Sequence, residues 1–260
     1  MSTLTISYAQ AMEDLHLAQA LADVPFERGF YIDVGANDPE IDSVTKHFYD
    51  RGWRGINIDA SPKWAEKLRA QRPRDVNIEA AISDLSGPLT FYDHIGGLGT
   101  TIESIARSHE SLHRHEMVPR LVATSTLTDV CAAHAPAQIH FLKIDVEGSE
   151  DSVLRSMDFG RFRPWILCIE CHYPNRPDVQ VYDAWESIVV DADYLFAFTD
   201  SINRYYVAAE QRERLASFSY PAQFCLPAQL ARQIQDLERR VKTFEHCMGA
   251  IRKIAETAVT

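Results

Sequence analysis

The chain is 260 residues long, room for one large α/β domain with extensions, and its 46% hydrophobic and 24% charged residues are ordinary for a soluble globular protein. A formal net charge of −11 argues against a nucleic-acid partner, because a phosphate backbone needs a basic surface. No apolar run approaches the roughly 18 residues that cross a bilayer, so no transmembrane segment is expected.

In chain order, residues 1–23 lack the basic start and apolar core of a secretory signal. Residues 8–22 read as a lead-in helix with Leu15, Leu17, Ala18 and Leu21 on one side. Strand and helix then alternate. Residues 30–34 make a first strand, and 42–51 a helix with Val44, His47 and Phe48 inward, stopped by Gly52. Residues 53–58 make a second strand, after which Ser61 and Pro62 open a helix as N-cap and first helical residue. Residues 76–82 read as a third strand and 89–92 as a short extra one. From 96 to 119 the pattern dissolves into Gly, Ser, His and Arg, which marks a lid or binding loop. Within it His109, His113 and His115 miss the H-E-x-x-H spacing of a zinc helix and read as a solvated flexible segment.

Residues 128–133 then read as a helix, 139–146 as a fourth strand, 149–157 as a helix, 165–171 as a fifth strand and 182–192 as a helix. Residues 194–198 and 204–207 form a closing antiparallel hairpin near Asn203. Such alternation implies a mostly parallel sheet covered on both faces. The five cysteines are an odd number, which suits reduced thiols in a cytoplasm. Cys168 and Cys171 lie an odd offset apart in one strand, so their sulfurs point to opposite faces and pack rather than react. After Pro227, Leu230, Ile234, Leu237, Val241, Phe244, Met248 and Ile251 recur at alternating spacings of four and three, a heptad seam. The seam covers itself with a second copy, giving a homo-oligomer, or lies back on its own domain. The division is thus a lead-in at 1–27, an α/β domain at 28–209 and a long helix at 227–258.

The chemistry starts where the first strand ends, in Asp33-Val34-Gly35-Ala36-Asn37-Asp38, and continues at Asp59 at the tip of the second. An acid-glycine turn after one strand and an acid at the tip of the next hold a nucleoside in an open α/β sheet, the second acid accepting from ribose hydroxyls. One glycine, in place of the three of a pyrophosphate cradle, suits a nucleoside without phosphates. S-adenosylmethionine (SAM) is the commonest such ligand.

That turn, with Ser43-Val44-Thr45, Phe48-Tyr49, Gly52-Trp53-Arg54-Gly55, Ala80 to Asp84, Lys143-Ile-Asp-Val-Glu-Gly-Ser-Glu150 and Ile169-Glu170, resembles the FkbM-type SAM-dependent methyltransferases across residues 30–207. The resemblance implies a class I methyltransferase Rossmann-like fold with a seven-stranded sheet. It also implies O-methylation, in many members of a sugar hydroxyl in a glycan or natural product. Asp59 departs from the family, where many members carry Glu; the role survives with a shorter reach.

On this reading 28–209 is the SAM-binding domain, with Asp33, Gly35, Asn37, Asp59, Ala60, Ser83 and Asp84 around the cofactor. Asp33 accepts from the methionine amino group, Gly35 lets the backbone come close, and Asp84 accepts from the adenine amine. Plain alternatives exist for each: a strained turn at Asp33, a helix cap at Asp59, a turn residue at Asp84. A sugar hydroxyl is a weak nucleophile and needs a base or a cation that lowers its pKa. His172 is the favoured base and Glu147 the alternative, with Asp145 beside them at the carboxyl ends of the fourth and fifth strands. Asp145, Glu170 and His172 are also candidate ligands for Mg²⁺ or Mn²⁺, against a plain loop role for His172 before Pro174. Thr100 and Thr101 are candidates to face a sugar or glycan acceptor. Two other functions compete: an NAD-dependent Rossmann oxidoreductase, and a non-enzymatic assembly subunit that keeps a methyltransferase fold.

Overall fold

Tyr31 to Val34 are all buried, as a strand covered on both faces must be. In the computed structural model, which describes residues 5–114, 116–200, 202–219, 225–227, 234, 236, 237, 239–242 and 244, this is an interior strand of a seven-stranded sheet. Its strands are β1 (Phe30–Val34), β2 (Arg54–Asp59), β3 (Val76–Glu79), β4 (Phe141–Ile144), β5 (Ile166–Glu170), β6 (Tyr194–Thr199) and β7 (Asn203–Ala208). They lie in the order β6-β7-β5-β4-β1-β2-β3. Neighbours among β1 to β5 pair in parallel, and β7 runs antiparallel to both β5 and β6. The chain leaves β1 toward β2 and β3 and returns to β4 on the other side. The crevice over the carboxyl ends of β1 and β4 is therefore the switch point where open α/β sheets bind ligands.

Alternation along the strands fills a core on each face. Ile32, Val34, Ile56, Ile58, Leu142, Ile144, Leu167 and Ile169 pack in one. Tyr31, Phe141, Ile166, Phe48 and Trp53 pack in the other. Each such buried side chain contributes about 1.5–3 kcal/mol relative to exposure. Cys171 joins the first core and Cys168 the second, as the odd offset requires. Cys131 is buried as well, and all three are free thiols.

Several helices are shorter than their periodicity predicts. The lead-in helix α1 is Glu13–Ala20. Asp14 accepts from the Ser7 hydroxyl (2.7 Å) and the Tyr8 amide (2.7 Å), so the chain before the helix is tied into a turn. The helix expected at 42–51 shrinks to α2, Lys46–Asp50. Asp42 takes a left-handed φ of 54°, and the Thr45 hydroxyl bonds Asp33 instead of capping the helix. Pro62–Gln71 forms α3 with Pro62 at its start.

Segment 96–119 is not irregular. It holds α4, Glu103–His113, whose Ile105, Ala106 and His109 bury one side at spacings i, i+1 and i+4. A ribbon of Leu89–Asp93 paired antiparallel with Val118–Val122 carries that helix. Leu127–His134 and Glu150–Arg155 form α5 and α6, the first capped by Thr126. Leu230, Met248 and Ile251 of the heptad seam, and most of the long helix expected at 227–258, lie outside the described residues. Ile234, Leu237, Val241 and Phe244 are helical and exposed. Among the described residues no helix is long and apolar enough to cross a membrane.

Candidate functional site

A cavity of about 290 Å³ opens at the switch point, near the small end of the roughly 300–1,000 Å³ of ligand pockets. Asp33 to Asn37 form one wall, Asp59 to Ser61 with Trp64 a second, and Ala80 to Ile82 an apolar slot. Lys143, Asp145, Val146, Glu147 and Ser149 line the exit of β4, and Phe91, Asp93, His94, Gly96 to Gly99 and Thr101 form the roof. Acids dominate, and among the described residues Lys143 is the one Lys or Arg on these walls. Such a lining attracts a cationic ligand and repels phosphates.

The β1 turn is built for this wall. Asp33 is buried; its Oδ2 accepts from Thr45 Oγ1 (3.0 Å) and its Oδ1 has no hydrogen-bond partner. Its nearest charged neighbour is Lys143 Nζ at 3.6 Å, an ion-pair distance that leaves the oxygen able to accept from a ligand donor. Gly35 sits at φ +78°, and a Cβ there would fall 1.7 Å from the Asp145 carbonyl oxygen. The close approach that demands glycine is thus to the chain's own β4 exit. Asn37, at a left-handed φ of 50°, donates its amide to Asp59 Oδ2 (2.8 Å). The other Asp59 oxygen accepts from the Ser61 amide (2.8 Å), so Asp59 organises both turns. Each oxygen keeps a second lone pair for a ligand hydroxyl. Burial, offset only in part by these amides, raises the Asp59 pKa to about 6.

The β4 exit concentrates charge. Lys143 Nζ lies 3.1 Å from the Gly35 carbonyl oxygen, 3.3 Å from Asp145 Oδ2 and 3.6 Å from Asp33 Oδ1. Burial by itself would lower its pKa; Asp145 and Asp33 more than offset that and hold it cationic. Glu147 lines the cavity from a left-handed φ of 55°, a strained conformation for a residue with a side chain. Burial, then Asp145 and Glu150, push its pKa well up, and Lys143 opposes them. Glu150 points inward and accepts from the amides of Val146 and Gly148 (3.1 Å each), bracing the turn that presents Glu147. Its own pKa rises to about 7, chiefly through burial.

The family model of the methyltransferase FkbM domain matches residues 33–196, from the first acid turn to the closing hairpin. The chain belongs to the FkbM methyltransferase family. The comparison with curated proteins returns no match. Among solved structures this FkbM chain is similar to a TehB-like SAM-dependent methyltransferase from Corynebacterium glutamicum, with 9% identity over 75% of this chain and 87% of that one and a TM-score of 0.40. It is also similar to an O-methyltransferase from Bacillus cereus in complex with SAH, with 11% identity, 76% and 82% coverage and a TM-score of 0.37. Both likenesses fall below a TM-score of 0.5 and contribute nothing to the assignment.

The FkbM domain brings Asp33, Gly35, Asn37, Asp59, Ala60, Thr101, Asp145 and Glu147 onto one cavity. It does not bring the other expected residues there. Ser83 pairs with Ser152 (2.9 Å), and Asp84 accepts from Ser152 Oγ (2.6 Å) and Arg155 Nε (2.8 Å), so both fasten the sheet edge to α6. The apolar slot beside them, Ala80 to Ile82, is what reaches the cavity. Thr100 is buried and spends its hydroxyl on the Glu147 carbonyl (2.8 Å). His172, the expected base, is off the cavity wall; its Nδ1 contacts the Ile202 carbonyl (3.1 Å) and Cys171 Sγ (3.5 Å). Glu170 is also off the wall, and burial, then Asp145, Glu147 and Glu150, raise its pKa well up. Its Oε2 has no hydrogen-bond partner. Among the described residues no three His, Cys, Asp or Glu side chains converge to hold a metal, so the Asp145-Glu170-His172 set is not assembled.

Sequence reasoning missed Trp64, Phe91, Asp93, His94 and Asp42, all of which line the cavity. Asp42 left a readable trace, one acid three residues before Thr45. The rest come from the roof and α3, whose folding back over the sheet no local pattern announces.

Proposed function

We propose that this FkbM protein is a SAM-dependent O-methyltransferase acting on a hydroxyl of a sugar or glycoconjugate. The observation that carries it is the acid pair at the switch point: Asp33 with an unbonded buried oxygen and Asp59 with free lone pairs, on a cavity with no phosphate cradle. Asp59 would hold ribose hydroxyls, Ala80 to Ile82 the adenine face, and Asp33 the ammonium end of the amino acid. The sulfonium, when bound, supplies a methyl group already activated for in-line displacement. The acid-rich lining matches its positive charge.

Chain residues do the rest. Asp145 and Glu147 face the acceptor side, and Glu147, whose raised pKa makes its ionised form a strong proton acceptor, is the base. The acceptor O–H bond breaks and its proton moves to Glu147. Bound SAM would supply the methyl group that the acceptor oxygen takes in place of that proton, with the C–S electron pair left on sulfur. Alignment supplies much of the acceleration, and proton acceptance adds roughly 10²–10⁴-fold. The strained φ at Glu147 fits a residue held for a task. Neutral sugars fit this acidic lining better than phosphate-bearing ones.

Calorimetry with SAH and with NAD separates this reading from an oxidoreductase. SAH should bind and NAD should give no heat; the reverse pattern overturns the assignment. A SAM-turnover screen over free sugars, oligosaccharides and nucleotide sugars, read by mass spectrometry, tests the acceptor class. Enrichment of product only with a non-hydroxyl acceptor would remove the O-methyl assignment.

A further inference from the structure

We propose that His109, carried on α4, is the positioning residue for Glu147, holding its carboxyl toward the acceptor side of the cavity. The inference rests on the reading of Glu147 as base and adds the group that aims it.

One segment, residues 98–109, grips the turn 147–149 at four points. Thr100 Oγ1 donates to the Glu147 carbonyl at 2.8 Å. Thr101 Oγ1 and Ser149 Oγ lie 2.6 Å apart. Ile105 packs so tightly on Gly148 that a Cβ there would come within 2.5 Å of its Cδ1. These three fix backbone or a neighbouring hydroxyl. The fourth alone reaches the carboxyl: His109 Nε2 stands 4.0 Å from Glu147 Oε2.

The His109 side chain is 1% exposed and that of Glu147 14%. A solvated surface histidine would not be sealed in this way, because burying an imidazole strips its hydration. Its Nδ1 lies 3.1 Å from the Leu98 carbonyl oxygen. A carbonyl only accepts, so Nδ1 carries a proton; Nε2 faces the carboxyl and holds a carboxylate oxygen when it too is protonated, as imidazolium. The 4.0 Å gap is ion-pair distance, and a closure of about 1 Å makes it a hydrogen bond. The other ionisable groups acting on Glu147 are Asp145, Glu150 and Lys143. His109 is the one that approaches from the roof. A partner there leaves one carboxylate oxygen held and the other directed into the cavity. It also ties the base to the ordering of α4.

The test uses the full chain labelled with ¹⁵N at histidine, in long-range ¹H–¹⁵N spectra between about pH 6 and 8, with and without SAH. His109→Asn identifies the signal by its loss. The expected result is a His109 ring protonated at Nδ1, whose titration midpoint falls by about one unit or more in Glu147→Gln, the effect of losing a close opposite charge. Glu147→Asp, which keeps the charge and shortens the reach, should give an intermediate midpoint and serves if the Gln variant does not fold. An unchanged His109 midpoint, or a ring protonated at Nε2 alone, overturns the proposal. If the wild type binds no SAH, the cofactor reading fails while the ligand-free comparison of His109 still decides this one.

Discussion

Asp59 carries two duties that local sequence shows only in part. Its position at the tip of β2 was legible, because a strand-end acid after an apolar run has few other uses. Its backbone bonds to Asn37 and Ser61 show that it also closes both turns. Asp59→Ala should weaken SAH binding by roughly 1–3 kcal/mol and lower the melting temperature as well, because two amides lose their acceptor. Calorimetry and thermal melts measure the two effects; unchanged SAH affinity would remove Asp59 from the site. With the Asp59 pKa near 6, the ionised form prevails above that value. SAH affinity should therefore fall as pH drops through about 6. Glu147→Gln should reduce turnover by roughly 10²–10⁴-fold with little change in SAH affinity. An equal loss of both would make Glu147 structural. Asp84 and His172 lie off the cavity for one reason. Their partners, Arg155 on α6 and the Ile202 carbonyl, lie 71 and 30 residues away along the chain, and spacing along a strand says nothing about them.

At the scale of elements, the strands were read well and the roof was not. Buried parallel strands announce themselves as continuous apolar runs. In α4 the inward residues are Ile105, Ala106 and His109, and an apolar count passes over an Ala and a His. The turns after β1 and β4 interlock at Gly35, while Gly52 sits at φ +101° with nothing within 4 Å of an added Cβ. The pair makes a controlled comparison. Gly52→Ala should cost about 1 kcal/mol, the backbone penalty alone. Gly35→Ala adds a collision with the Asp145 carbonyl and should cost several times more or prevent folding. Urea denaturation gives both numbers, and equal costs would show that the two turns are not interlocked.

Across the whole molecule, buried carboxyls tie stability to pH. Burial, then Asp200, raise the pKa of Glu13 to about 7 from an ordinary 4.5. A folded-state pKa above the unfolded one stabilises fully below about 4.5, and that contribution is lost as pH rises through 7. The imidazoles of His47 and His140, lowered to about 4 by burial, oppose this trend up to about pH 7, so the Glu13 part is read as the difference between wild type and variant. The Glu13 contribution should therefore fall between about pH 4.5 and 7.5, and Glu13→Gln should flatten the slope over that range; an identical slope in the variant would clear Glu13. Self-association through 227–258 is proposed from the exposed Ile234, Leu237, Val241 and Phe244. Leu237→Glu should then shift a dimer to monomer in analytical ultracentrifugation, and a monomeric wild type would dismiss the idea. The chain's order of apolar runs determined by itself the alternating strands and helices, the two-sided sheet and the acids at the strand tips, because periodicity and strand ends are local properties. Only the tertiary structure decided which acids share a cavity, that Gly35 yields to Asp145, and that a histidine of the roof faces Glu147. Those depend on contacts between segments far apart in the chain, which no local pattern encodes.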